Sequence, residues 1–325
     1  MTKVLIIGGG GMVGQKLAHK IAQEGLNGEA SPDVTLFDMG FPANSAPGLQ
    51  ITGNVTDAVR IADLARGHFD LIYHLAAIVS GESETNFDLG WSVNMMSMWH
   101  LLEALRSEHM RSGGEYRAKV IFTSSIAVFG GPYPEKIDDE FLSAPQTSYG
   151  AQKAICELMI SDFSRKGFID GMSLRLPTIC VRPGKANLAA SSFFSGIIRE
   201  PLNGVEAILP VSDTVRHWHA SPRAAAGFLT HAAGLNTDAL KGRRALSLPG
   251  VSCTVAEQIE ALRRQAGQDA VDRIKPQPDE AIMKIVEGWP RNFAPARAIS
   301  LGFKAESNFD EIIKTYIADD FTPAS

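Results

Sequence analysis

A chain of 325 residues is long enough for one large domain or two unequal ones, and 45% hydrophobic against 21% charged residues is an ordinary balance for a packed core. A net charge of −5 argues against a nucleic-acid surface as the main business of the protein. Three cysteines, Cys156, Cys180 and Cys253, stand far apart without metal-ligand spacing, so neither a disulfide framework nor a metal site is expected and they read as reduced structural thiols.

The first element is a strand, KVLII at Lys3–Ile7. Its large apolar residues are too few for a signal-peptide core, and no stretch approaches the ~20 apolar residues of a membrane span. The expectation is a soluble, cytoplasmic protein with no membrane partner. A run of glycines follows, then a helical pattern over 12–24. Further strands are expected over 34–38, 49–52, 71–76, 119–123 and 172–176. Each is short, rich in Val, Ile and Leu, and apolar on both faces, as strands of a parallel sheet covered by helices are. Their alternation with helical stretches predicts an α/β fold with a doubly wound parallel sheet of the Rossmann type.

After Pro177 the texture turns to loops. Helices are expected near 191–199, 224–233, 254–267 and 308–319, with a possible last strand of the sheet at 245–249. The division this suggests is a sheet domain over 1–176 plus 213–249, and a smaller mixed α/β substrate domain over 177–212 plus 250–325.

Gly8, Gly11 and Gly14 have the spacing G-x-x-G-x-x-G, directly after a strand and at the opening of a helix that begins with Met12 and Val13. Glycines there allow a tight turn and a close approach of backbone to a pyrophosphate, while the helix start offers N–H groups and partial positive charge. Asp38 ends the second strand. A carboxylate there accepts hydrogen bonds from both hydroxyls of an adenine ribose and repels a 2′-phosphate. No Lys or Arg occurs over 39–47 to receive such a phosphate, so NAD is expected rather than NADP. Asn54 and Val55, after the third strand, are candidate adenine contacts or an ordinary turn.

Tyr149 and Lys153 fall on one face of a helix in SYGAQK, after a strand that ends in Ser124 and Ser125. A tyrosine with its ordinary pKa near ~10 is a poor base at neutral pH, and lowering it by ~3 units takes about 4 kcal/mol of anion stabilisation. A neighbouring ammonium and a positively charged nicotinamide are of the right kind to supply it.

Together these segments resemble the extended short-chain dehydrogenase/reductases, the group that includes nucleotide-sugar epimerases and dehydratases. The resemblance covers essentially the whole chain. It is carried by IGGGGMVG, LFD, GNVTD, HLAAIVSG, Val93-Asn94, FTSSIAVFGG, SYGAQK and LRLPTICVRPG. It implies Ser125, five residues before Gly130, as the catalytic serine that orients the substrate oxygen. It implies Tyr149 as general base, and Lys153 as the group that lowers the tyrosine pKa and binds ribose. Leu75, Ala76 and Ala77, and Pro177 with Thr178, are implied to flank the cofactor. Asn94 is either a cofactor-site residue or a structural asparagine within a helix.

Two departures narrow the chemistry. Ser124-Ser125-Ile126 lacks the acidic pair of the family's dehydratases, so water elimination lacks its general acid. Arg216-His217-Trp218-His219 stands where the epimerases often carry R-D-F-x-H. LAAIVSGESE, RPGKANLAASSFFSGIIREPLNG and VRHWHASPRAA are similar to sugar-acid dehydrogenases of this superfamily, which implies oxidation of the C2 hydroxyl of a four-carbon sugar acid with NAD as acceptor. A guanidinium suits the carboxylate of such a substrate; Arg216 is the first candidate and Arg182 the second, with Ser80 for a hydroxyl. A nucleotide-sugar epimerase with tightly held NAD is the main rival reading, and a non-catalytic dinucleotide sensor a weaker one. The apolar segment of Met95, Met96, Met98 and Trp99 suits core packing or a homodimer interface.

Overall fold

The computed structural model describes residues 1–184 and 190–321, so two parts of the expected substrate domain, 185–189 and 322–325, lie outside the described residues. Contacts group the chain into two units. The first comprises Met1–Val128, Pro145–Leu176 and Ala226–Ser247, and the second Phe129–Ala144, Pro177–Ala225 and Leu248–Ser325.

The first unit is built on a seven-stranded sheet. Its strands are β1 (Lys3–Ile7), β2 (Asp33–Asp38), β3 (Leu49–Thr52), β4 (Leu71–His74), β5 (Lys119–Ser125), β6 (Asp170–Leu176) and a short edge strand, Ala245–Ser247. The order is edge strand, β6, β5, β4, β1, β2, β3, and every pairing is parallel. The order reverses direction at β1, between β2 and β4. Crevices at such switch points, outside the carboxyl ends of the strands, are where open α/β sheets hold ligands. Val4, Leu5, Ile6 and Ile7 are all fully buried, which is why a run with no polar face forms the central strand.

Helix α1 (Met12–Glu24) follows the glycine turn, and α2 (Ala58–Ala65) is capped by Asp57, whose carboxylate accepts from the N–H groups of Val59 and Arg60. Two longer helices, Ser97–Arg111 and Ser148–Arg165, complete one face of the sheet. Leu101, Leu102 and Leu105 from the first and Cys156, Ile160 and Phe163 from the second share a core with Leu5, Ile72, Val120 and Phe122.

The expected strand over 71–76 ends at His74. Leu75 and Ala76 both turn their N–H groups onto the one carbonyl of Ile7, where β1 gives way to the glycine turn.

The second unit has its own core, including Phe194, Ile197, Ile198, Leu262, Ile312 and Ile313. Its middle strand is Arg216–Ala220, which pairs antiparallel with Val251–Thr254 and parallel with Thr178–Ile179. That pairing corrects the expected division, since Arg216–Ala220 joins this sheet and not the larger one, and residues 213–225 fall in the second unit. Residues 129–144 also belong here. Ile137 exchanges backbone hydrogen bonds with Asn292 and Ala294, and the N–H of Arg297 donates to the Asp139 carboxylate.

Candidate active site

At the carboxyl end of β1 the chain turns with Gly8 at φ +90°, and a Cβ there would lie 2.5 Å from the Ala76 nitrogen. A Cβ at Gly14 would lie 2.3 Å from the Gly8 carbonyl oxygen, so α1 seats directly on the turn. Gly11 is the N-cap of α1, and no side chain caps that end. A Cβ added at Gly11 would meet only the Gly8 oxygen, at 3.5 Å, so the space before the helix is open. A helix start without a side-chain cap, beside open space and with no acid in its first turn, fits a pyrophosphate.

Asp38 stands beside this turn. Its carboxylate accepts from the Gly10 N–H at 2.9 Å and from the Met39 N–H at 2.7 Å. Each oxygen keeps a lone pair for a further donor such as a ribose hydroxyl. Gln15, which the sequence reading passed over, ties the assembly together. Its side-chain amide donates to the Gly9 carbonyl and to Ser45 and accepts from the Ala46 N–H, holding the loop after β2 against the glycine turn. Asn54 is exposed and its side chain closes a turn on the Thr56 N–H, while the Val55 side chain packs into the core.

Ser125 ends β5 half-buried, and its Oγ accepts from the Ala127 N–H at 3.1 Å. The Ser148–Arg165 helix begins at Thr147, whose hydroxyl accepts from the Gly150 N–H, and carries Tyr149 and Lys153 one turn apart. Its approach to the end of β5 depends on Gly150, because a Cβ there would lie 2.2 Å from the Ala127 carbonyl oxygen. Lys153 is buried. Its ammonium donates to the Thr123 carbonyl at 2.8 Å and lies 5.5 Å from the centre of the Tyr149 ring. Burial draws its pKa down to about 8, against the opposing pull of Cys156 and Glu157, so it is still charged at neutral pH. Serine, tyrosine and lysine thus gather in the first unit.

A buried polar layer surrounds them. The Glu157 carboxylate accepts from the Ser124 hydroxyl at 2.5 Å and is gripped bidentately by Arg175, at 2.9 Å from Nε and 2.7 Å from Nη2. No sequence spacing signals that triad. His74, fully buried at the end of β4, is held neutral: burial and the nearby Lys153 push its pKa to about 3.

Asn94 holds a loop beside the centre. It is fully buried, in a π-helical turn over Trp91–Met96. Its side chain accepts from the Ile78 N–H and donates to the Ile78 carbonyl, Ser83 and Gln152, which pins the loop that carries Leu75, Ala76 and Ala77. Ser80 opens the short helix Ser80–Thr85 on the same loop and is half-buried.

The remaining candidates lie in the second unit. Pro177 is buried and Thr178 half-buried, the latter with its hydroxyl 2.7 Å from Nε2 of His217. Arg182 donates through Nε to the Ile179 carbonyl. Arg216 donates to the Ser252 carbonyl at 3.1 Å and pairs with the Glu257 carboxylate at 3.2 Å. All three cysteines are buried thiols, pushed by desolvation up to about 12, and are poor nucleophiles. Among the described residues no helix is long and apolar enough to cross a membrane.

Fold and site define a dinucleotide-dependent oxidoreductase. The chain belongs to the NAD dependent epimerase/dehydratase family, whose model matches residues 4–230, and NAD is its cofactor. It is 44% identical to a D-erythronate dehydrogenase of Cupriavidus necator over 323 residues, covering 97% of this chain and 98% of the relative. It is 40% identical to a D-erythronate dehydrogenase of Haemophilus influenzae over 321 residues, covering 98% and 99%. A solved structure described as the nucleoside-diphosphate-sugar epimerase from Agrobacterium tumefaciens is 50% identical, with TM-score 0.93 over 98% of this chain and 94% of that one. Kinship over nearly the full length makes this chain an NAD-dependent dehydrogenase.

Proposed function

We propose that the protein oxidises the C2 hydroxyl of D-erythronate to 2-dehydro-D-erythronate. The observation that carries this reading is the pair of D-erythronate dehydrogenases matched over almost all of both chains. The Ser125–Tyr149–Lys153 group is of the kind the reaction needs. When bound, NAD supplies a hydride acceptor at nicotinamide C4. Ser125 holds the C2 oxygen by a hydrogen bond. Tyr149, as phenolate, takes the proton of the C2 hydroxyl while the C2–H electron pair leaves as hydride and the C2–O bond becomes a carbonyl. The buried Lys153 ammonium beside the Tyr149 ring stabilises that phenolate.

The first turn of α1, with Gly8, Gly11, Met12, Val13 and Gly14, would take the pyrophosphate, and Asp38 the ribose hydroxyls. Asn54, Val55, Leu75, Ala76 and Ala77 would line the cofactor through backbone and apolar surface, and Pro177 and Thr178 would bound the nicotinamide. Arg216 and Arg182 are the cations for the substrate carboxylate and Ser80 a partner for a hydroxyl. The Arg216–Glu257 pair is partly exposed, and pairs of that kind are weak, so a substrate carboxylate can replace Glu257 at small cost. We also infer a cytoplasmic homodimer through Met96 and Trp99, which are 37% and 40% exposed on consecutive helical segments; a monomeric mass in light scattering would remove that inference.

NADH formation from NAD and D-erythronate, followed by absorbance, is the test. Tyr149→Phe should abolish turnover while NADH still binds, and near wild-type turnover in that variant would overturn the assignment. The relative described as a nucleotide-sugar epimerase supports a second reading. Its signature is interconversion of nucleotide sugars with no net NADH, together with silence toward every sugar acid.

A further inference from the structure

The first N–H groups of an α-helix have no partner within it and are satisfied from outside. In the helix Ser148–Arg165 the first of them belongs to Ser148, the residue before Tyr149. The cap residue Thr147 serves the Gly150 N–H. The Ser148 N–H donates to a carboxylate oxygen of Glu84 at 2.6 Å, across 64 positions of chain. Glu84 lies in the short helix Ser80–Thr85, so it shares that element with Ser80. A second tie joins the same two helices further on. The buried Ser83 hydroxyl accepts from Nδ2 of Asn94 at 3.0 Å, and the same Nδ2 donates to Oε1 of Gln152 at 2.8 Å. Gln152 is the residue before Lys153, one turn of helix beyond Tyr149. Gly90 lets this tie close, since a Cβ there would lie 2.8 Å from Nε2 of Gln152 and 3.3 Å from Ser83.

Tyr149 is thus bracketed. One tie fixes the residue before it and the other the turn after it, and both lead to the Ser80–Thr85 helix. The two differ in kind. Ser83, Asn94 and Gln152 are buried and belong to the core, whereas Glu84 is exposed and can be changed without opening it. Tyr149 is the second residue of its helix, in the part where helices fray. A carboxylate at such a start holds it well, because the exposed N–H groups there carry partial positive charge. We propose that Glu84 is a positioning residue: its bond to the Ser148 N–H sets Tyr149 and the Ser80–Thr85 helix in one fixed relation, so that the proton acceptor and the loop offered to the substrate hydroxyls are held as one body. This rests on the role proposed above for Tyr149 and not on the identity of the acid.

The test compares Glu84→Ala, which removes the acceptor, with Glu84→Gln, which keeps an acceptor oxygen at the same reach. For each, kcat, KM for the acid, NADH affinity, melting temperature and amide hydrogen exchange over 147–150 are measured. Glu84→Ala should lower kcat about tenfold, less than the ~100-fold that a full displacement of ~1 Å would cost, and should raise KM severalfold. Exchange over 147–150 should quicken, while NADH affinity and melting temperature stay near wild type. Glu84→Gln should recover most of the lost kcat. An unchanged kcat in Glu84→Ala overturns the proposal and leaves Glu84 a surface cap. A rise in KM alone does so too, since the tyrosine would then be in place without Glu84. Equal loss of NADH affinity would show a general distortion, and a glutamine variant as slow as the alanine one would assign the effect to charge; either result refutes positioning. The kinetics are read on whichever substrate the wild type oxidises. Failure of the D-erythronate reading therefore shows in the wild type, and failure of the role of Tyr149 in Tyr149→Phe, whereas failure of this inference shows only in the Glu84 variants.

Discussion

Gly150→Ala isolates the geometry of the centre from its chemistry. Gly150 has no positive φ, so alanine meets no backbone strain there. The obstacle is space. The new Cβ would lie 2.2 Å from the Ala127 oxygen and 3.0 Å from the Pro145 side chain, about 1 Å short of ordinary contact with the oxygen. The obstructing atom is backbone, so the start of the Ser148–Arg165 helix must withdraw, carrying Tyr149 away from Ser125. Overpacking of this kind costs about 1–3 kcal/mol, and replacing glycine by alanine in a helix returns up to about 1 kcal/mol. The net loss of stability should be about 2 kcal/mol or less, too little to unfold a chain of this size. A displacement of ~1 Å at a reacting group, in contrast, costs on the order of 10²-fold in rate. The assay is kcat at saturating D-erythronate and NAD, with NADH affinity and the melting temperature measured in parallel. Turnover should fall about 100-fold while NADH binding, which rests on the glycine turn, changes little. A kcat within threefold of wild type would refute the idea that this close approach positions the tyrosine, and an equal loss of NADH binding would show a general distortion instead.

Two further outcomes follow from single side chains. Lys153→Met should be inactive yet more stable at pH 7 in the absence of cofactor. Burial lowers the lysine from 10.5 to about 8, a penalty of roughly 3 kcal/mol, and the lost hydrogen bond to Thr123 returns about 1 kcal/mol of it. Between those two pKa values the unfolded chain holds a proton that the folded one has released, so wild-type stability rises with pH there and the advantage of methionine shrinks. Denaturant titration at pH 7 and pH 10 checks both statements, and a methionine variant less stable than wild type at pH 7 would sink them. Asp38→Ser should weaken NADH about tenfold or more, through loss of a charged acceptor, and narrow the gap between NADH and NADPH; an unchanged ratio of the two affinities would mean that Asp38 does not read the ribose.

The glycine turn and the Tyr149–Lys153 pair were legible because conformation and chemistry there are both set within a dozen consecutive residues. A strand, a glycine at positive φ and an uncapped helix are local events. The layer beneath the site is of another kind. Ser124 meets Glu157 because β5 ends beside the helix, and Arg175 meets them because β6 pairs with β5 in one register, Ser124 opposite Arg175. A slip of one residue would turn Arg175 to the other face of the sheet, and nothing in the spacing of 124, 157 and 175 announces which register forms. Asn94 was ambiguous for the same reason, since a polar residue in an apolar helix can face a ligand or a loop, and the four bonds to Ile78, Ser83 and Gln152 exist only once that loop is in place. Gly150 did leave a sign. A glycine in the first turn of a well-formed helix forgoes up to about 1 kcal/mol, and close approach of another backbone is the usual reason. The surroundings of His217 and His219, on one face of a strand, left no sign in the sequence. Their neighbours are Thr178, Gln258 and aromatic rings, brought there from distant parts of the chain. Residue types therefore announce the chemistry available along the chain, and sheet register and close packing decide which lone pair or proton is aimed at the ligand.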